Sequence, residues 1–305
     1  MKEAPRGVLS PVVTPFGADL SPDPTRWLAH CRWLLSQDCG LAIFGTNSEA
    51  NSLSVAERRE LLNVAAEGGL DPARMMPGTG ACSIPEAVEL TLAAVRADCA
   101  GVLMLPPFYY KNVPDDGLFA FYSEVIQRVG DDRLRIYLYH IPPVAQVPIS
   151  LDLIERLLKE YPGTIAGIKD SSGDWSNTKA MIERFDNFDV FAGSEQFLLD
   201  TMRTGGAGCI SATANINPAA IHDLYVNWQA SDADARQAAI TDFRLAVAKL
   251  PMIPALKAVI GIRTDDPAWN QVRPPLKNLT AAEVGQLAET LDRYDFEMPG
   301  RREAA

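Results

Sequence analysis

Thr164-Ile165-Ala166-Gly167-Ile168-Lys169-Asp170-Ser171-Ser172-Gly173-Asp174 is the stretch that decides the fold. The apolar run predicts a short buried strand from Ile165 to Lys169. Asp170 to Asp174 reads as a polar loop, and Trp175 to Phe185 as a helix. A near-continuous apolar strand is covered on both faces, as in a parallel sheet flanked by helices. The segment is one βα unit with a lysine at the carboxyl end of its strand.

The same unit recurs on both sides. Downstream, strand Asp189 to Ala192 precedes helix Glu195 to Thr204, and Cys209 to Ala212 precedes helix Pro218 to Gln229. Upstream, Leu134 to Tyr139 leads to helix Ser150 to Lys159, and Gly101 to Leu105 to helix Asp115 to Val129. Arg74 to Gly78 pairs with helix Pro85 to Ala97, and Gly40 to Gly45 with helix Val55 to Glu67. Ser54 with Glu57 three residues later makes a capping box for that last helix. Gly7 to Thr14 and helix Pro24 to Ser36 complete the series. Eight such pairs over about 230 residues predict a (β/α)8 TIM barrel, residues 1–230. The tail, 231–305, is helical in pattern and predicts a C-terminal helical extension. A doubly wound sheet is the competitor, but Thr14-Pro15-Phe16-Gly17 carries no GxGxxG turn after the first strand.

The 305 residues carry a net charge of −11, which argues against nucleic acid as a partner. Five scattered cysteines, Cys31, Cys39, Cys82, Cys99 and Cys209, form no CxxC pair. They read as reduced thiols of a cytoplasmic protein. No apolar signal core opens the chain, and no run approaches a membrane span of roughly 20 residues. The three histidines, His30, His140 and His222, show no metal-binding spacing, so no metal is expected.

In a barrel the chemistry sits at the carboxyl ends of the strands. Lys169 has two readings there. Its stem can pack while its head reaches water. Alternatively, a buried amine of this kind is a nucleophile, because burial disfavours the ammonium form. The other strand ends offer Gly45-Thr46-Asn47-Ser48-Glu49, a candidate anion pocket, and the aromatic run Pro106-Pro107-Phe108-Tyr109-Tyr110-Lys111. They also offer Tyr139-His140-Ile141-Pro142-Pro143, Gly193-Ser194-Glu195 and Ser211-Ala212-Thr213-Ala214-Asn215. Each reads alone as a turn or as packing. An amine, hydroxyl relays and an anion pocket together suggest Schiff-base chemistry on a 2-oxo acid.

The order of these motifs resembles the dihydrodipicolinate synthase and N-acetylneuraminate lyase family of class I, pyruvate-type aldolases. The resemblance runs from Pro11-Val12-Val13-Thr14-Pro15-Phe16 through the motifs above to Gly167-Ile168-Lys169-Asp170-Ser171-Ser172-Gly173 and Gly208-Cys209-Ile210-Ser211. It implies that Lys169 forms an imine with pyruvate or a related 2-oxo acid, without another cofactor. Tyr139 then shuttles protons, and Thr46 links it to a second tyrosine, Tyr109, with Tyr110 the alternative. Ile210 lines the pyruvate pocket, and Gly193 is counted with the substrate-binding residues. The family's assembly implies a homotetramer.

Two positions depart from the family pattern. Asn47 and Ser48 stand in the carboxylate-binding loop where the family usually has a hydroxyl residue and glycine, and either side chain could donate. Val144 stands where lysine-biosynthetic members carry an arginine for the aldehyde's carboxylate. A valine cannot make that contact, worth about 1.5–3 kcal/mol. The expected function is therefore a lyase that makes or breaks a C–C bond between a 2-oxo acid and an aldehyde or sugar-acid partner, and not a true dihydrodipicolinate synthase. A dehydratase acting on a 2-keto-3-deoxy sugar acid and a non-catalytic 2-oxo acid-binding barrel are the alternatives.

Overall fold

The structure, a computed structural model, describes residues 5–301. In chain order its strands are β1 (Gly7–Ser10), β2 (Gly40–Leu41), β3 (Val102–Met104), β4 (Ile136–His140), β5 (Ile165–Asp170), β6 (Asp189–Ala192) and β7 (Gly208–Ile210). The first helices are α1 (Pro24–Ser36), α2 (Val55–Glu67), α3 (Ile84–Arg96), α4 (Asp115–Val129), α5 (Pro142–Ala145) and α6 (Leu151–Glu160). They are followed by α7 (Trp175–Arg184), α8 (Leu198–Thr204), α9 (Pro218–Val226), α10 (Ala233–Val247), α11 (Met252–Thr264) and α12 (Ala281–Arg293). The described residues form two compact units, 5–7 with 71–210 and 8–70 with 211–301.

In the first unit β3, β4, β5, β6 and β7 lie side by side in chain order, every pairing parallel. Side chains alternate across a strand. Ile136, Leu138 and Ile168 pack against Leu118 and Tyr122 of α4, Leu153 and Ile154 of α6, and Met181 of α7. Each such buried side chain contributes about 1.5–3 kcal/mol. Tyr137, on the opposite face of β4, meets Phe191 edge-on at 5.9 Å. Its ring leaves no room for side chains beside it. A Cβ on Gly101 would lie 2.8 Å from the ring, and one on Gly167 2.7 Å.

The strand expected at Arg74 to Gly78 does not form a strand. Pro72–Arg74 is a 3₁₀ turn, and the segment beyond it keeps only a single bridge, Gly78 to Leu103. Leu103 N–H donates to Pro77 O at 2.9 Å and Thr79 N–H to Leu103 O at 3.0 Å. Pro77 has no N–H to give, so the ladder cannot extend through it. The first strand, expected to reach Thr14, likewise stops at Ser10, directly before Pro11. The helix expected from Glu195 opens as a 3₁₀ turn, Glu195–Phe197, before α8 begins.

In the second unit β1 and β2 pair in parallel, Leu9 opposite Gly40 and Ser10 opposite Leu41. Asp23 caps α1 by accepting the Arg26 N–H, with Pro24 in the first turn. Ser54 and Glu57 form the expected capping box on α2. Helix α11 is buried from Pro254 through Gly261 and packs on α12. Helices α10 to α12 thus belong to the same compact unit as α1 and α2. No single helix among the described residues is long and apolar enough to cross a membrane.

Candidate active site

Lys169 and Tyr139 come together because β4 and β5 set Tyr139 opposite Lys169. The Lys169 Nζ donates to the Tyr139 hydroxyl at 3.2 Å and stands 4.3 Å from the centre of its ring. Both are buried, at 2% and 3% exposure. The next register step puts His140 opposite Asp170 on the other face of the two strands.

That face is polar and closely bonded. The Asp170 carboxylate accepts from Thr178 Oγ1 at 2.6 Å and Asn177 Nδ2 at 3.1 Å, both on α7. It also accepts from the Ser172 N–H at 2.9 Å and hydroxyl at 3.1 Å. His140 Nδ1 accepts the Ile149 N–H at 3.0 Å, and its Nε2 lies 4.0 Å from Asp170 Oδ1. Burial holds the His140 imidazole below its ordinary pKa, and the Asp170 charge offsets part of that shift. Gly193 N–H donates to Asp170 O at 2.7 Å. A Cβ on Gly193 would lie 2.7 Å from that same oxygen, so this approach requires glycine.

The remaining expected residues of this unit lie at neighbouring strand ends. Ile210 closes β7 and is fully buried. Tyr109 and Tyr110, in the loop after β3, pack edge-on at 5.3 Å and are 74% and 72% exposed. Val144, on the short helix α5 after β4, is 61% exposed. Lys111 joins the two loops, because its Nζ donates to Phe108 O and, at 2.8 Å, to Ala145 O.

In the second unit the Gly45–Glu49 loop is a tight turn. Ser48 N–H donates to Gly45 O at 3.1 Å and Glu49 N–H to Thr46 O at 3.1 Å. Ser48 is buried, and its hydroxyl accepts the Gly45 N–H at 3.1 Å. Thr14 Oγ1 donates to Ser48 O at 2.8 Å. Asn47 and Thr46 are half-buried. Glu49 adopts a left-handed backbone, φ 56°, and its side chain is fully enclosed. Lys257 Nζ donates to Glu49 Oε1 at 2.5 Å and the Arg273 N–H to Glu49 Oε2 at 2.9 Å. Burial lowers the Lys257 ammonium to about 8, against the attraction of Glu49. The Arg273 guanidinium, hydrogen-bonded to Glu57, brings that carboxyl down to about 2.

Asn215 explains why the Pro11–Phe16 motif holds its shape. Its Oδ1 accepts the Val13 N–H at 2.9 Å, and its Nδ2 donates to Pro11 O at 3.1 Å. Lys257 and Arg273 carried no local motif. A charged residue inside the apolar run Ile253 to Ile260 was the one signal that Lys257 is buried and paired. Among the described residues no group of three or more His, Cys, Asp or Glu is placed to hold a metal.

A buried strand-end amine bonded to a phenol, on parallel βα units, is an arrangement that can support amine–carbonyl chemistry. The sequence model of the dihydrodipicolinate synthetase family matches residues 4–294. The chain belongs to that family. It is 33% identical over 296 residues to an uncharacterized DapA-like lyase of Chloroflexus aurantiacus, covering 95% of this chain and 97% of that protein. The crystal structure of dihydrodipicolinate synthase from Agrobacterium tumefaciens aligns with TM-score 0.87 and 32% identity, over 94% of this chain and 98% of that one. YagE, a prophage protein of the same family from E. coli K12, solved with pyruvate, aligns with TM-score 0.87 and 25% identity, over 95% and 99%. These likenesses assign the chain the α/β barrel fold of the family.

Proposed function

We propose that the protein is a Schiff-base lyase acting on pyruvate or a related 2-oxo acid, joining it to or cleaving it from an aldehyde or sugar-acid partner. The observation that carries this reading is the buried 3.2 Å contact between Lys169 Nζ and the Tyr139 hydroxyl. The unprotonated amine adds to the ketone carbon, a proton passes from its nitrogen to the oxygen to give a carbinolamine, and the phenol then gives its own proton to that hydroxyl, which leaves as water. The resulting iminium draws electrons from the adjacent carbon. Loss of a proton there gives an enamine, which adds to the aldehyde; the reverse sequence cleaves the bond. Family membership and the pyruvate bound in the YagE crystal structure support the choice of 2-oxo acid.

Ser48 already uses its hydroxyl oxygen on Gly45. Accepting that N–H leaves the Ser48 O–H to donate, so we assign the carboxylate of the 2-oxo acid to the Asn47 amide or the Ser48 hydroxyl. The resemblance gives Thr46 and Tyr109 parts in proton transfer, and Ile210 and Gly193 places at the substrate. Val144 offers no cation to the second substrate, which favours a partner lacking the carboxylate that lysine-biosynthetic members bind.

Borohydride added with pyruvate should leave a stable adduct on Lys169, read by peptide mass. No adduct, under conditions that trap a known aldolase, would overturn the reading. A screen of 2-keto-3-deoxy sugar acids for released pyruvate identifies the partner.

A further inference from the structure

We propose that His140 and Asp170 are a positioning pair that holds Tyr139 and Lys169 in their 3.2 Å contact. The proposal rests on the Schiff-base reading for its meaning, but its test separates the two. Three observations carry it.

The first is a break in pattern. Ile136, Leu138 and Ile168 face the helices from β4 and β5, and all are apolar. The last register pair on that face is His140 and Asp170, and the Asp170 side chain has no exposure. Burying such a pair costs desolvation that an apolar pair would avoid. It occurs one residue from the amine and one residue from the phenol.

The second is where the bonds go. Asp170 ties the end of β5 to the first turns of α7 through Asn177 and Thr178. His140 ties the end of β4 to the chain entering α6 through the Ile149 N–H. Backbone bonds complete the frame, with Ser171 N–H donating to His140 O at 2.7 Å and Gly193 N–H to Asp170 O at 2.7 Å. Strand ends are ordinarily the least restrained part of a sheet. Here the end of β5 is bolted to the helix that follows it, and the end of β4 to the chain that enters α6.

The third is the ring's orientation. Nδ1 accepts the Ile149 N–H, so a neutral imidazole carries its proton on Nε2. That N–H lies 4.0 Å from Asp170 Oδ1, too long for a direct hydrogen bond. The carboxylate acts on the ring by charge and dipole. The two residues do not touch the reacting atoms. They act through their chain neighbours.

The test compares three variants with wild-type protein, reading the rate at which pyruvate and borohydride mark Lys169. His140→Phe keeps a ring and removes both nitrogens. His140→Asn restores an acceptor for the Ile149 N–H. Asp170→Asn keeps shape and one acceptor oxygen, and provides an answer if His140→Phe does not fold. His140→Phe and Asp170→Asn should each slow marking at saturating pyruvate by about tenfold or more. The half-saturating pyruvate concentration should move less than about threefold, because the carboxylate contacts lie elsewhere. His140→Asn should recover most of the rate. Wild-type rates in the two slow variants, or no recovery with His140→Asn, would overturn the proposal. A general loosening would move rate and half-saturation together, and that outcome also counts against it.

If wild-type protein takes no adduct at all, the Schiff-base reading fails. The pair is then judged by acylation of Lys169 with a small anhydride, read by peptide mass in the same variants. Unchanged Lys169 reactivity across them overturns the pair on its own.

Discussion

Tyr139 and Lys169 are 30 positions apart in the chain and one hydrogen bond apart in space. In the proposed mechanism, a phenol so placed gives the amine a proton partner at the step where water leaves. Tyr139→Phe removes that partner and keeps the ring. Turnover should fall by about 10²–10⁴, the usual worth of a positioned acid–base group. Borohydride trapping at Lys169 should persist, only slower, which separates proton transfer from nucleophilic attack. The lysine's place at a strand end was legible from one strand, but that strand alone fits a packed lysine as well as a nucleophile; the roles proposed for it and for the tyrosine came from the other strand ends and the family resemblance. The polar pair behind them was not legible, because His140 and Asp170 become neighbours only through the β4–β5 register. His140 also has a pH signature. Burial lowers its pKa in the folded protein from 6.5, so at pH values just below 6.5 the unfolded chain binds more protons. Stability should therefore fall as pH drops below 6.5, and Asp170 is the charge facing the ring. His140→Asn should flatten that part of a thermal-midpoint profile.

At the scale of elements, the helices were the most legible part. The bounds of α1, α2 and α4 coincide with those expected from periodicity and caps. Side-chain caps are local chemistry, so sequence alone reports them. Strand ends depend on the partner strand, which explains the shortened β1 and the segment around Pro77 that keeps only one bridge. The capping carboxylate of α2 has a second task. Glu57 also binds Arg273, at 2.5 Å, and Arg273 carries the Glu49 contact. Its pKa in the fold, about 2, lies below the ordinary 4.5. The stability it contributes is fully present above pH 4.5 and is lost as pH falls from 4.5 to about 2. Glu57→Gln should lower the urea midpoint at neutral pH and reduce its fall over that window.

For the whole molecule, the exposed Tyr109, Tyr110 and Val144 are large apolar side chains on two loops joined by Lys111. Exposed aromatic clusters are characteristic of surfaces that become buried on association. The homotetramer implied by the family fits this placement. Light scattering on the purified protein should give four times the chain mass of 33.2 kDa. Replacing Tyr109 and Tyr110 together by Ser should shift the mass downward. An unshifted monomer mass in the wild type would remove association from the account. The C-terminal helices could be read as helices but not placed, since burial of a charged residue such as Lys257 depends on Glu49, 208 positions away.

Tyr137 has a consequence for how this sequence can drift. Its ring occupies the space that side chains at 101 and 167 would need. Gly101 can gain a methyl group only after the ring has gone, whereas at Gly167 the Asp189 carbonyl oxygen, 2.2 Å from a Cβ, excludes one even then; a smaller residue at 137 leaves a void until position 101 grows. Positions 101 and 137 are a single heritable unit, crossed only by paired substitutions. A selection that randomises all three together should keep glycine at 167 and return either the present pair at 101 and 137 or a small residue at 137 with a larger one at 101, and almost nothing between.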